Sequence, residues 1–270
     1  MDLFLTGAFG LEAAMTHALA AEHHGLGGVW FAEHHFVEYG RIPSATLFAG
    51  MVLQATSRIT VGTAACVFSA RNPVALAEEV AMLHSLHGNR FQLGVARGGP
   101  WVENLVLGGG MARYETGFAG WLETLLSALG GRGPVALSPS PAVAGPVSVR
   151  VAAVSSSTVE LAARLGLPLQ LGVEKTSAEV ASLVGRWSSI SGIGEADHSR
   201  VVLVPPVRRD SLEAWLSRRA LKDWTAHIDR LMSIHPVAEP VVPRLMCMVE
   251  AAGSASAALR VIEELASGRW

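Results

Sequence analysis

Residues 59–99 read ITVGTAACVFSARNPVALAEEVAMLHSLHGNRFQLGVARGG. Ile59–Val67 is short and apolar on both faces, as a strand in a covered parallel sheet must be. Pro73–Leu86 then takes up a helical period, with proline in the first turn, where a missing N–H costs no hydrogen bond. Phe91–Ala96 returns to the strand pattern, so the stretch is one complete strand–helix–strand unit. The same alternation runs outward in both directions. Strands are expected at Leu3–Ala8, Val29–Glu33, Val147–Ala153, Pro168–Leu171, Val201–Pro205 and Leu245–Val249. Helices are expected at Leu11–His24, Ser44–Ala55, Glu115–Leu129, Thr158–Leu165, Ser177–Trp187, Ser211–Leu231 and Ala255–Leu265. Gly25 closes the first helix, and Ser156 or Ser157 is placed to cap the fifth.

A strand followed by a helix, eight times over, is the pattern of a (β/α)8 TIM barrel. The rival, a doubly wound open sheet, would carry a glycine-rich turn after its first strand, and here Gly7 and Gly10 stand alone. Three stretches are irregular: Gly98–Arg113, Gly130–Pro146 and Ser188–His198. None has the character of a linker, so residues 1–270 are expected to form one domain.

Composition narrows the function. The 270 residues are 50% hydrophobic and only 16% charged, which excludes a disordered chain. A net charge of −2 leaves no electrostatic footprint for nucleic acid or an anionic membrane. No apolar run approaches the roughly 18 residues of a membrane span, and the opening MDLFLTGAFGLEAAM has no signal-peptide pattern. Cys66 and Cys247 both sit in apolar strands, which favours two free thiols and a reducing cytoplasm.

In a barrel the chemistry sits at the C-terminal ends of the strands. The second strand ends in Glu33-His34-His35-Phe36. Successive side chains of a strand point to opposite faces, so at most one of His34 and His35 faces the mouth. Either could act as acid, base or hydrogen-bond donor near neutral pH, and either could be structural. His23-His24 and His84-x-x-His87 lie in or near helices, where they are expected to face solvent or cap helix ends. The third strand carries Ala64-Ala65, small enough to admit a flat ring or simply to pack closely. Arg97 emerges from the fourth strand into Gly98-Gly99, placed to hold an anion or to pair with Glu33 or Glu78. Ser155-Ser156-Ser157-Thr158 puts hydroxyls at a helix N-terminus, a seat for phosphate or a helix cap.

The runs Val29–Phe36, Ile59–Ala65, Asn72–Glu79, Leu86–Gly98 and Ser155–Pro168 together resemble the bacterial luciferase family of flavin-dependent monooxygenases. The likeness is dense over residues 26–100 and good over 147–172. It implies the same barrel, with reduced FMN in its mouth. By that resemblance His34 matches the histidine implicated in acid/base work, and Ala64-Ala65 a pair joined by a cis peptide under the flavin ring. Arg97, Ser155 and Thr158 match phosphate contacts, with the Val154–Ser155 backbone alongside.

The activity so implied is a two-component oxygenase, fed FMNH2 by a separate reductase. O2 adds at the flavin C4a, and the resulting peroxyflavin oxidises a small organic substrate, as in a natural-product tailoring step. Two alternatives stay open: a non-catalytic flavin-binding or partner subunit, and a deazaflavin-dependent hydride transferase. The resemblance also implies a homo- or heterodimer, paired through the helices beside the second and third strands. Several positions depart from the family. Ala96 replaces a reactive cysteine, Pro100 follows Gly98-Gly99, and His235-Pro236-Val237 runs almost directly into Val242-Pro243-Arg244-Leu245. The substrate side of the pocket is therefore its own.

Overall fold

The computed structural model describes residues 1–99, 102–108, 110–141, 145–216, 228, 232 and 242–268. Its strands are β1 (Asp2–Leu5), β2 (Gly28–Phe31), β3 (Thr60–Thr63), β4 (Cys66–Val67), β5 (Phe91–Ala96), β6 (Ser148–Ala152), β7 (Leu169–Leu171), β8 (Ser199–Leu203) and β9 (Arg244–Met248). All pairings are parallel, and β3, at one end of the order β3–β2–β1–β9–β8–β7–β6–β5–β4, also pairs with β5, so the sheet closes into a barrel. β3 and β4 are two halves of one stave, which leaves the eight staves that the alternation implied.

Around them run α1 (Leu11–His23), α2 (Ala45–Ala55), α3 (Pro73–His87), α4 (Val102–Val106), α5 (Gly110–Thr116), α6 (Phe118–Leu129), α7 (Ser156–Arg164), α8 (Ser177–Ser191), α9 (Arg209–Leu216) and α10 (Ala255–Ser267). Pro73 does open α3, and the Asn72 side chain accepts from the Val74 and Ala75 amides as its N-cap. The stretch 98–113, expected to be irregular, holds α4 and the start of α5; Gly98-Gly99 precede α4, Gly108 follows it, and Gly110 opens α5. The helix expected over Glu115–Leu129 is broken at Gly117, where α6 begins afresh. Only the first part of the helix expected over Ser211–Leu231 lies within the described residues. Pro100, Gly109 and His235-Pro236-Val237 lie outside them.

Two apolar clusters hold the fold. The larger joins the outward side chains of the strands to the helices, with Leu3, Phe31, Val61, Leu93 and Val151 fully buried. The smaller fills the barrel interior, where Phe4 lies in register between Trp30 and Met248. Trp30 lies across the bore, and a Cβ at its register neighbour Gly62 would overlap the indole ring. Only glycine fits there, so a larger side chain would force the core apart.

Polar groups plug the N-terminal end of the bore. Trp30 donates to Asp2 (2.7 Å), Arg244 pairs with Asp2 (2.7 Å) and Asp197 (3.0 Å), and Arg150 pairs with Asp197 and donates to Gln92 (2.9 Å). Burial would raise the Asp197 carboxyl, but Arg244 and Arg150 outweigh it and hold its pKa below the usual range. Both guanidiniums also lie over the Trp30 ring, at 5.5 and 5.2 Å.

His198 stands at the edge of this plug. Its Nδ1 accepts from the Leu169 amide at 3.0 Å, so the neutral ring is the one that fits. Burial and nearby Arg150 push its pKa down to about 4. In the unfolded chain a histidine titrates near 6.5, so the unfolded state takes up the proton first as pH falls. Stability should therefore be full above pH ~6.5 and drop by roughly 2 kcal/mol from pH 7 to pH 5. Urea unfolding across that range should show the loss. His198→Asn, which keeps an acceptor for Leu169 but cannot titrate, should remove most of it; an unchanged slope would reject the assignment.

Candidate functional site

Three strand-end features meet at the C-terminal mouth of the barrel. The first is the end of β2. Glu33 is buried and accepts from the Val67 amide (3.0 Å), the Ala45 amide at the head of α2 (2.9 Å) and Arg71 (3.0 Å). His35 Nε2 lies 3.4 Å from the same carboxylate, and the Cys66 thiol points to it at 3.9 Å. Burial would raise the Glu33 pKa; the His35 hydrogen bond and the Arg71 charge outweigh it and hold it low. The same burial and the negative Glu33 push the Cys66 thiol well up, so it is no nucleophile. Glu33 and His35 thus tie the β2 and β4 ends to α2.

His34 faces a different wall of the mouth. Its ring meets Tyr39 edge-on at 5.2 Å, on the side of the cluster that lines the bore. A Cβ at Gly40 would fall 2.5 Å from His34 Nδ1, so a bare glycine backbone walls the imidazole. The His34 amide donates to the Ile42 carbonyl at 3.1 Å, which closes the loop around it.

The second feature is the interruption between β3 and β4. Gly62 pairs with Gln92 and Cys66 with Val95, so three residues on one stave face two on its neighbour. Thr63, Ala64 and Ala65 form this bulge, and the Ala64–Ala65 peptide is cis, as the resemblance implies. The Thr63 hydroxyl replaces the lost ladder, accepting from the Gly94 amide (2.9 Å) and donating to the Gly94 carbonyl (2.7 Å). Gln170 reaches across the bore to donate to the Thr63 carbonyl (3.1 Å). The Ala64 amide donates to Phe31 (2.7 Å), and the Ala65 carbonyl accepts from Glu33 (3.3 Å). Two half-buried methyl groups are thus fixed at the mouth.

The third feature spans the neighbouring ends of β5 and β6. Arg97 follows β5, and its guanidinium lies 4.9 Å over the Tyr114 ring. It does not pair with Glu33, whose cation is Arg71, nor with Glu78; Arg71 also takes Glu79. On the β6 side Ser155, rather than Ser156 or Ser157, is the N-cap of α7. Its Oγ lies 3.0 Å from both the Ser157 and Thr158 hydroxyls, while its cap bond to the Thr158 amide is long, at 3.4 Å. Val154 is 62% exposed beside it.

Among the described residues the other histidines do not converge on the mouth. His84 is buried rather than solvent-facing, with Nε2 3.0 Å from the Gly145 carbonyl; His23 and His24 stack edge-on at the end of α1. Among the described residues no group of three or more His, Cys, Asp or Glu could hold a metal ion. Sequence reading passed over Arg71, Thr63 and Gln170. Gln170, a lone amide in an apolar strand, carried a visible signal; Arg71, in a loop, carried none.

A closed parallel barrel with a histidine, a backbone bulge, an arginine and a hydroxylated helix head on one rim defines the class. A family model described as luciferase-like monooxygenase matches residues 4–264. The chain belongs to that family of oxidoreductases. An alkanal monooxygenase alpha chain from Photorhabdus luminescens is 28% identical over 222 residues, 76% of this chain and 61% of that one. The chain spans 45–61% of the length of such alpha chains. An F420-dependent secondary alcohol dehydrogenase, solved with an F420–acetone adduct, superposes with a TM-score of 0.77 at 13% identity, covering 100% of this chain and 98% of that one. The oxygenating constituent of 3,6-diketocamphane monooxygenase from Pseudomonas putida, solved with FMN, gives 0.69 at 14% identity, covering 88% and 80%.

Proposed function

We propose that the chain is a flavin-dependent monooxygenase that takes reduced FMN from a separate reductase and oxidises a small organic substrate, in a natural-product tailoring role. The β5–β6 rim carries the reading. Arg97, Ser155 and Thr158, with the leading amides of the nine-residue α7, form a donor set suited to a phosphate dianion. Among the described residues the Arg97 guanidinium meets an aromatic face rather than a carboxylate. Exposed Val154 and half-buried Ala64 and Ala65 give a flat ring apolar surface to lie against.

Reduced FMN, when bound, would supply the activation of O2. The chain would hold the phosphate at Arg97, Ser155 and Thr158, support the ring on Ala64-Ala65 and the Val154–Ser155 backbone, and move a proton at the His34 imidazole. The two buried, free cysteines suit a reducing cytoplasm, and no helix among the described residues is long and apolar enough to cross a membrane. A deazaflavin-dependent hydride transfer is the second reading, favoured by the likeness to the F420-dependent dehydrogenase.

Arg97→Met keeps length and loses charge. It should weaken binding of reduced FMN by about 10- to 100-fold, the worth of charge-assisted hydrogen bonds to phosphate. Reduced riboflavin, which lacks the phosphate, should bind the variant and the parent alike in anaerobic fluorescence titrations. Equal losses for both would reject a phosphate role.

Pairing with a second copy or a homologous chain is part of the proposal. Leu47 and Met51 on α2 and Met82 and Leu86 on α3 are each at least half exposed. Gly50 lets the two helices approach closely, so the four side chains form one apolar face. Leu47→Glu with Leu86→Glu should turn a sedimenting dimer into a monomer; an unchanged dimer would place the interface elsewhere.

A further inference from the structure

The β9 end holds a carboxylic acid away from the β5–β6 rim. Glu250 is buried, on the 3₁₀ turn Val249–Ala252 that follows β9. Its Oε1 accepts from the Gly7 and Ala8 amides, both at 3.0 Å, and its Oε2 from the Thr6 amide at 2.7 Å. The Thr6 hydroxyl, fully buried, lies 2.6 Å from the same Oε2 and 3.1 Å from the Tyr39 carbonyl. That hydroxyl has one proton and faces two acceptors if Glu250 is ionised, so one contact must then fail. If Glu250 is protonated, its O–H donates to Thr6 Oγ1, the Thr6 O–H donates to Tyr39, and every contact is satisfied.

We propose that Glu250 carries its proton at neutral pH and, through Thr6, pins the Tyr39 carbonyl and so the loop that walls His34. It is a positioning residue for His34, and that assignment rests on the proposed role of His34. Tyr39 meets His34 edge-on, Gly40 abuts its ring, and the Arg41 amide donates to the Thr6 carbonyl at 3.1 Å. The loop therefore hangs from Thr6 at two points.

Burial raises the Glu250 pKa against the pull of its four hydrogen bonds. The charged groups on the elements around it are directed to water. Arg208 and Asp210 pair with each other before and at the start of α9, as do Arg209 and Glu213 within it. Arg260, Glu263 and Glu264 on α10, Glu12 on α1 and Glu38 and Arg41 on the loop are exposed. Asp2, at the opposite end of β1, is committed to Arg244. On α1 the buried His17 faces the Ala255 carbonyl at 3.0 Å.

The test uses the whole chain without flavin. Carboxyl 13C resonances, with Glu250 assigned by Glu250→Gln, should show a neutral acid at pH 7. Hydrogen exchange of the amides at Tyr39–Arg41 should accelerate about tenfold in Thr6→Val and stay at the parental rate in Thr6→Ser, which restores the hydroxyl. The His34 ring titration should shift in Thr6→Val and return in Thr6→Ser. An ionised Glu250 at pH 7, or parental loop exchange in Thr6→Val, overturns the proposal. Because none of these readouts needs flavin, a failure of the FMN reading appears separately, as absent binding of reduced FMN.

Discussion

His34→Ala should lower turnover by roughly 10²- to 10⁴-fold, the range spanned by a positioned acid/base group. The affinity for reduced FMN should barely change, because the proposed phosphate donors lie on the β5–β6 rim and not on β2. Glu33 and His35 carry the ties to α2 and β4, whereas His34 contacts the Tyr39–Gly40 loop. Loss of its ring should therefore leave the fold intact, which thermal unfolding checks alongside single-turnover rates. Parental turnover in a folded His34→Ala protein would remove His34 from the chemistry. A His35→Asn variant is the control, since it should affect stability before rate.

The second large effect falls on stability. Glu33→Ala should destabilise the chain by roughly 3–5 kcal/mol, because it breaks a buried ion pair and leaves two buried amides without their acceptor. The substitution removes one of the two carboxylates that Arg71 pairs with and the acceptor of two amides, Val67 at the end of β4 and Ala45 at the start of α2. Glu33→Gln keeps one acceptor oxygen and should lose about half as much. Urea unfolding followed by circular dichroism measures both. A loss under 1 kcal/mol in Glu33→Ala would mean that water replaces the carboxylate, and that Glu33 is not the tie at this corner.

The eight staves were legible because each is apolar on both faces and each is followed by a helical period, a signal that survives without any tertiary knowledge. Where a stave breaks was legible only through family resemblance: Ala64 and Ala65 have no side chains to announce a bulge, and Thr63 looks like any strand threonine. α4 and α5 were hidden by the glycines at their ends, which dominate a short window. In the Glu-His-His run the sequence offers three groups, and only the β2 register and the distant Arg71 decide that two are structural. Ser155 was read among the hydroxyls of its run, but the capping role went to its neighbours because helix starts are uncertain by a residue or two. Thr6 and Glu250 are 244 residues apart, and they meet only because β1 and β9 close the barrel.

The central proposal is that the mouth takes reduced FMN and turns over O2. Anaerobic titration with FMNH2, followed by mixing with O2, tests it most directly. Saturable binding of FMNH2, tighter than that of reduced riboflavin or reduced F420, with O2 then consumed by the complex, is the expected result. Failure to bind FMNH2, or a preference for reduced F420 with no consumption of O2, would contradict it.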